Sequence, residues 1–270
     1  MTSEVLARHY INIGGLSLLV YDSFLNWDKE TRYIWGSGAP STIKLSFCIC
    51  RYLALAGQIV NIIYSSPTFL ERGNVNCFRW FLCQMCVVNL LVWNMDLIMI
   101  IRIFALYDCS VRLGGILALW FIFCRGLDGW NVSRSSQEVV MDNLCIIRKI
   151  LKYAKWFSAS HLSTQAGFWL LTYRKYRQAK HEGWSNQPLI QLIMWDNSCV
   201  LLVLSGVLLS ILPYDIYTQK AAHVAIVAMT CAVSIMSSRL ILNVRSLKSH
   251  HGDIEQRETL TILTTQSHPE

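Results

Sequence analysis

Long apolar stretches alternate with short polar ones along most of the chain. About 20 predominantly apolar residues are needed for a helix to cross about 30 Å of hydrocarbon. Seven stretches approach that length, at about residues 9–27, 43–64, 79–106, 112–130, 153–173, 195–213 and 221–244. The pattern predicts an all-α, polytopic membrane helix bundle with seven transmembrane helices, forming a single bundle over residues 1–246.

Two of these stretches contain charged residues, so a bundle of six spans stays an alternative. Asp22 interrupts the first stretch, and "CRGLDG" (124–129) interrupts the fourth. Glu4 and Arg8 precede the first apolar run and no small-residue cleavage site follows it. We therefore expect a retained signal-anchor helix and not a cleaved signal peptide. Residues 247–270 are polar without sustained periodicity, which predicts a disordered polar tail.

The composition agrees with a membrane protein. The chain is 53% hydrophobic and 15% charged, whereas a soluble domain has about 25% charged residues. The net charge is +7, and the basic residues lie between apolar runs, where loops border anionic headgroups. We therefore expect membrane lipid as a partner and no nucleic acid. Aromatic residues at the ends of the apolar stretches predict an interfacial belt; they are Trp27, Trp35, Trp80, Trp130, Trp156, Trp195 and Tyr214.

The orientation follows from one sequon and two cysteines, because the basic residues are divided almost evenly between the two faces. Asn131-Val132-Ser133 is the single N-x-S/T triplet, and it falls in a predicted loop. Cys77 and Cys145 fall in loops on the same side, whereas Cys109 lies at the opposite face and the other cysteines lie within apolar stretches. We predict the N-terminus outside, the C-terminus in the cytoplasm and glycosylation at Asn131. A Cys77–Cys145 disulfide in that oxidising compartment would contribute about 3–5 kcal/mol.

The third stretch places two opposite charges in the membrane, in "WNMDLIMIIRIFALYD" (93–108). A charge at mid-membrane costs about 2.5–3.5 kcal/mol and should face a partner inside the bundle. Asp96 and Arg102 lie about 120° apart around the helix and about 9 Å apart along it, so each needs a partner on another helix. Seven spans bring five charged residues to one cytoplasmic-side layer, namely Asp22, Arg51, Arg102, Asp196 and Arg239. The alternative is that Arg102 and Arg239 extend to the headgroups.

A second group of polar residues lies closer to the outer face. Asp96 shares a helix face with Asn89, and Gln58 and Asn61 lie at matching depth on the second helix. These four residues predict a polar cavity. The alternative is that they form hydrogen bonds between helices and only hold the bundle together.

A series of short motifs in a fixed order carries a family resemblance. The motifs are "YD" (21–22), Glu30 and Trp35 in "DKETRYIW", "RY" (51–52), Cys77, "RIFALY" (102–107), "LT" (171–172), "WD" (195–196) and "SRLILNVR" (238–245). Over about residues 10–246 the chain resembles an uncharacterised family of basidiomycete fungal multi-pass membrane proteins that have an N-terminal domain of unknown function. The resemblance implies a seven-helix, receptor-like architecture with a disulfide between the third helix and a loop. It implies no known activity.

The chain departs from that family pattern at two single positions and along the fourth helix. Thr31 stands where an aliphatic residue is usual, and Gln165 stands where the fifth helix often carries an acid. The fourth helix, with Arg125 and Asp128, is more polar than the resemblance implies.

These observations favour a receptor-like or sensor protein of the plasma membrane or a secretory-pathway membrane. We expect a small ligand to enter from the side of Cys77 and Cys145, and a cytosolic signalling partner at the charged layer. The alternatives are a small-solute transporter or channel and a non-signalling structural membrane protein. No H-E-x-x-H, G-x-S-x-G or Walker sequence occurs, so we expect no enzymatic activity, catalytic residue, cofactor or metal site. We interpret His161 and His223 as packing residues.

Overall fold

The computed structural model describes residues 3–36, 40–66, 76–138, 145, 154–181, 188–218 and 222–266. This part of the chain is 95% helical, and it confirms the all-α prediction. Its eight helices are α1 (Ser3–Leu25), α2 (Trp27–Glu30, continued by the π-helical turn Thr31–Trp35), α3 (Ser41–Ser65, with a π-helical turn at Ile49–Leu53), α4 (Cys77–Leu106), α5 (Val111–Glu138), α6 (Ala154–His181), α7 (Pro188–Thr218) and α8 (Ala222–Gln266).

The seven long helices overlap the seven predicted stretches, but two of them continue further. Helix α5 extends to Glu138, through residues that the sequence predicts as a loop. Helix α8 continues to Gln266, where the sequence predicts a disordered tail over residues 247–270. Neither extension contains proline, and the second contains a single glycine, Gly252. With so few helix-disfavouring residues, the backbone can continue its hydrogen bonds whatever the polarity of its side chains. Residues 267–270 lie outside the described part.

The long helices form a closed ring. Helix α1 packs against α3 and α8, and α7 packs between α6 and α8. Helix α4 contacts α3, α5, α6 and α8, which places it nearest the centre. Its buried stripe Leu91, Met95, Met99 and Ile103 recurs every fourth residue, so these side chains share one helix face.

The distribution of polar and apolar side chains is the reverse of that in a water-soluble protein. Helix α5 exposes a row of large apolar side chains that includes Ile116, Leu119 and Phe123, whereas Asp96 and Asp128 are fully buried. Large exposed apolar faces indicate contact with lipid or a partner. In the part of the chain that the structure describes, four segments are also long and apolar enough to cross a membrane, Ser41–Ser65, Cys77–Leu106, Gln191–Leu209 and His223–Leu247. Together these features indicate a helical membrane protein.

The predicted aromatic belt is divided between surface and interior. Trp27, Trp35, Trp130, Trp156 and Trp195 are exposed, as a residue at the headgroup level should be. Trp80 is buried instead. Its indole N–H donates to Asn61, so it belongs to the interior of the bundle. The side chain of Tyr214 lies outside the described part.

Candidate functional site

Arg102 connects three helices at one end of the bundle. It lies near the end of α4, buried, with Nη1 3.2 Å from Oδ2 of Asp196 on α7. Its Nη2 donates to the main-chain carbonyl of Leu240 on α8. Asn243 of α8 donates to the other oxygen of Asp196 at 3.1 Å. One guanidinium therefore holds α4, α7 and α8 together by charge-assisted hydrogen bonds.

Asp22 and Arg239 join the first and last helices at the same end. The Oδ1 atom of Asp22 accepts from Nη2 and Nε of Arg239, at 2.8 and 3.1 Å. The Asp22 side chain is buried, whereas that of Arg239 is 50% exposed. The guanidinium therefore binds the carboxylate and reaches the surface as well, which combines the two interpretations that the sequence left open for Arg239.

Arg51 has a different partner from the acids that the sequence placed in the layer. Its Nη1 lies 3.2 Å from Oε2 of Glu30, and its Nη2 donates to the carbonyl of Ser23 at 2.6 Å. Glu30 Oε1 accepts from the Tyr52 hydroxyl at 2.6 Å and from the Trp35 indole at 3.1 Å. The five predicted residues, together with Glu30, therefore form three ion pairs, and each pair joins a different pair of helices. Glu30 was missed because it lies between two predicted spans.

Two further hydrogen bonds reinforce this end of the bundle. The Tyr107 hydroxyl donates to the carbonyl of Leu171 at 2.9 Å, joining the end of α4 to α6. The Asn197 amide donates to the Thr172 hydroxyl at 2.7 Å, joining α7 to α6. We use the name inner charged layer for the three ion pairs Asp22–Arg239, Glu30–Arg51 and Arg102–Asp196.

Gln58 and Asn61 belong to a hydrogen-bond network towards the other end. Gln58 Nε2 donates to the carbonyl of Asn12 at 3.0 Å. Asn61 Oδ1 accepts from Gln84 at 2.7 Å and from Trp80 at 3.3 Å. These bonds join α1, α3 and α4 directly. They match the alternative of helix–helix hydrogen bonding that the sequence left open.

Asn89 and Asp96 lie apart from that network, so the four predicted cavity residues do not share one site. Asn89 donates to the carbonyl of Met85 in its own helix at 2.8 Å. Asp96 accepts from the Gln165 amide of α6 at 2.8 Å, and its other oxygen lies 3.2 Å from Nη2 of Arg125 on α5. The sequence gives the depth of these residues, but it does not show which neighbour each one faces.

Asp96 belongs to a second group of charges, which we term the buried ion cluster: Asp96, Arg125, Asp128, His161 and Gln165. Arg125 Nη1 lies 2.9 Å from Oδ2 of Asp128, and His161 Nε2 lies 3.5 Å from the same oxygen. All five side chains are buried. The signal in the sequence is the spacing: Arg125 and Asp128 are three apart and His161 and Gln165 four apart, so each pair shares a helix face.

A small cavity borders the cluster on its α6 side. Its volume is about 10 Å³, and His161 and Gln165 line it together with apolar residues of α4, α7 and α8. That volume is about enough for one water molecule. His161 therefore contacts the charged residues and also faces the cavity, so it is not the packing residue that the sequence suggested. Within the described ranges, no three His, Cys, Asp or Glu residues are placed to hold a metal ion.

The opposite end of the bundle carries the disulfide between Cys77 and Cys145, whose Cα atoms are 5.1 Å apart. Arg8 of α1 donates to the carbonyl of Cys145 at 3.1 Å and lies 5.1 Å from the ring centre of Trp80. The disulfide thus connects the start of α4 to Cys145, which α1 also contacts. Asn131 lies within α5 and not in a loop; its glycosylation stays a prediction.

Comparison with known protein families gives a match that covers the start of the bundle. No curated protein and no solved structure matches the chain. The matched segment runs from α1 through α2 into α3 and includes Asp22, Glu30 and Arg51 of the inner charged layer. Over residues 10–56 the chain is similar to a family described as "Family of unknown function (DUF6533)".

Proposed function

We propose that this protein is a seven-span, receptor-like sensor of the plasma membrane or a secretory-pathway membrane, with the N-terminus outside and the C-terminus in the cytoplasm. The proposal includes a small ligand at the disulfide end and a cytosolic signalling partner at the inner charged layer. It includes no enzymatic activity and no cofactor. The similarity of residues 10–56 to a family of unknown function supports no particular activity.

Four described segments are long and apolar enough to cross a membrane. A total of seven spans requires that α1, α5 and α6 cross it as well. Helix α5 contains Arg125 and Asp128, which lower its average hydropathy, but both side chains are buried in the bundle. Its outward face carries Ile122, Phe123 and Leu127. Because lipid contacts only the outer face, this division supports a spanning helix despite the low average.

The observation that carries the proposal is the position of Arg102. It is the shared partner of α7, through Asp196, and of α8, through Leu240. Transmembrane proteins that switch do so by moving packed helices between two discrete arrangements. A buried guanidinium with partners on two neighbouring helices favours one arrangement, and a ligand that binds another arrangement more tightly shifts the population.

The test removes Arg102 and measures the spacing of helices. Spin labels are placed on Cys109, after the end of α4, and on Gln191→Cys near the start of α7, in a background with Cys83→Ser and Cys86→Ser. We expect Arg102→Ala to reach the membrane in normal amount and to add a second distance between the labels. The physical reason is that Asp196 then loses its guanidinium partner, so the arrangement of α4 and α7 is less strongly favoured.

The matched control is Lys175→Ala at the same end of the bundle. Lys175 pairs with Asp108 at 3.3 Å, but the Asp108 side chain is 90% exposed, so water replaces the contact. We expect no change in the distance distribution. If Arg102→Ala removes the protein from the membrane, or leaves the distances unchanged, the layer is structural and the sensor proposal is wrong.

A transporter or channel and a non-signalling structural protein are the alternatives. Uptake of small solutes by cells that express the wild-type protein or Asp96→Asn distinguishes them. Transport that depends on Asp96 favours a translocation path past the buried ion cluster.

A further inference from the structure

Among the residues that the structure describes, the buried ion cluster has one positive charge fewer than it has negative charges. Asp96 and Asp128 contribute two carboxylates, and Arg125 contributes a single guanidinium that lies between them, at 3.2 and 2.9 Å. Gln165 adds a neutral amide. With a neutral imidazole at His161 the four ionisable groups carry a net charge of −1.

The environment gives little compensation for that charge. The side chains of Asp96 and Asp128 have no exposed surface, and those of Arg125 and His161 are nearly as buried. Oδ1 of Asp128 accepts no hydrogen bond from the described part of the chain. An uncompensated charge in such surroundings is strongly unfavourable, and a buried site commonly responds by changing its protonation state.

The residues around His161 identify where a proton can be held. Helix α4 contributes Asp96, α5 contributes Arg125 and Asp128, and α7 and α8 present apolar side chains to the adjoining cavity, among them Leu208 and Met229. Another titratable group in the described part of the α5–α6 contact is Cys124, which accepts from the Thr164 hydroxyl. His161 Nε2 lies 3.5 Å from Oδ2 of Asp128, so this contact joins the two groups that are able to share a proton.

We propose that Asp96, Arg125, Asp128 and His161 form a buried proton-binding site that holds one exchangeable proton at the contact between Asp128 and His161. The proton comes from water and forms a bond to Nε2 of His161 or to a carboxylate oxygen of Asp128; the water is left as hydroxide, and no electrons are transferred. The bound proton makes the site neutral. A cavity of about 10 Å³ lies beside His161. This proposal does not depend on the inner charged layer being a switch.

Spectroscopy of the full-length protein in lipid nanodiscs tests the proposal. The seven histidines are labelled with ¹⁵N, and the ring signals of His161 are assigned in the wild-type protein. The spectra are followed from about pH 5 to about pH 8, the range in which histidine charge usually changes. Infrared spectra of the same samples report any protonated carboxyl group.

We expect either an imidazolium signal from His161 within that range or a protonated-carboxyl band that Asp128→Asn removes. The imidazolium signal places the proton at the proposed contact, and the carboxyl band shows that the cluster holds the proton on a carboxylate. In Asp96→Asn the remaining carboxylate and Arg125 cancel, so His161 should stay neutral throughout. The His161 signal is read in the wild-type protein alone, and the two variants are needed only to assign a carboxyl band.

His223 is the matched control. It is a half-buried histidine whose contacts are the amide of Asn12 and the ring of Trp80, with Arg8 close by and no carboxylate among the contacts described. Its signal should stay that of a neutral imidazole. The proposal is overturned if His161 is neutral at every pH and no carboxyl band depends on Asp128. A band that Asp96→Asn removes and Asp128→Asn leaves also overturns it, because the proton would lie elsewhere.

Discussion

Glu30 shows how much a single acid contributes to this end of the bundle. It is fully buried at the end of α2, and it joins Arg51, Tyr52 and Trp35 through its two oxygens. We expect Glu30→Ala to lower the free energy of unfolding by about 3–5 kcal/mol, because it leaves the buried Arg51 without its carboxylate. Reversible unfolding in detergent micelles measures the change.

Asp28 is the control for that substitution, since it lies on the same short helix and is exposed. Asp28→Ala should change the free energy of unfolding by less than about 0.5 kcal/mol. Equal losses in the two variants would mean that the negative charge of α2 matters and the contact with Arg51 does not.

For Asp96 and Arg102, the sequence predicts the direction of each side chain but not the residue that it contacts. Helical periodicity is enough to show that these two residues face different directions, and the structure gives each a partner on another helix. The identity of those partners depends on how each helix is rotated about its axis. A single sequence does not contain that information, so Arg125 was not predicted as the partner of Asp96.

At the level of helices, Gly15 of α1 is the described glycine that lies closest to a neighbouring helix, α8. A Cβ atom added to Gly15 would lie 2.7 Å from Cγ1 of Val227 and 3.0 Å from Nε2 of Gln58. We expect Gly15→Ala to destabilise the fold by about 1–3 kcal/mol, the usual cost of overpacking. Alanine favours the helix by about 1 kcal/mol, so the net loss should fall in the lower part of that range. Thermal unfolding in nanodiscs measures it.

Gly14 provides the matched control, because a Cβ atom there would meet no atom within 4 Å. Gly14→Ala should leave stability unchanged or raise it by up to about 1 kcal/mol through helix propensity. A stable Gly15→Ala variant would show that α1 and α8 are further apart than the structure indicates.

The positions of the long helices are the part of the fold that the sequence predicts best, because runs of apolar residues identify them directly. Their ends are less predictable. Helix α5 continues past Trp130 and α8 past Leu247, since a helix ends where its backbone hydrogen bonds end and not where its side chains become polar. The face that each helix buries is also hard to predict when polar residues point inwards, as Arg125 and Asp128 do on α5.

The whole molecule has two chemically different ends. One carries the Cys77–Cys145 disulfide with Arg8 beside it. The other carries the inner charged layer and the exposed Cys109, in the turn between α4 and α5. Disulfides form in oxidising compartments, and free thiols persist in the cytosol. These two ends therefore support the same orientation, with the disulfide outside.

Thiol labelling of whole cells checks that orientation. We expect a membrane-impermeant maleimide to label the protein only after the plasma membrane is permeabilised, and Cys109→Ser to remove most of that label. Cys83 and Cys86 are also exposed on the bundle, but they lie within α4, where lipid should exclude a charged reagent. Cys145 should react only after reduction, because it is held in the disulfide. Labelling of Cys109 in intact cells would reverse the orientation and would place the inner charged layer out of reach of a cytosolic partner.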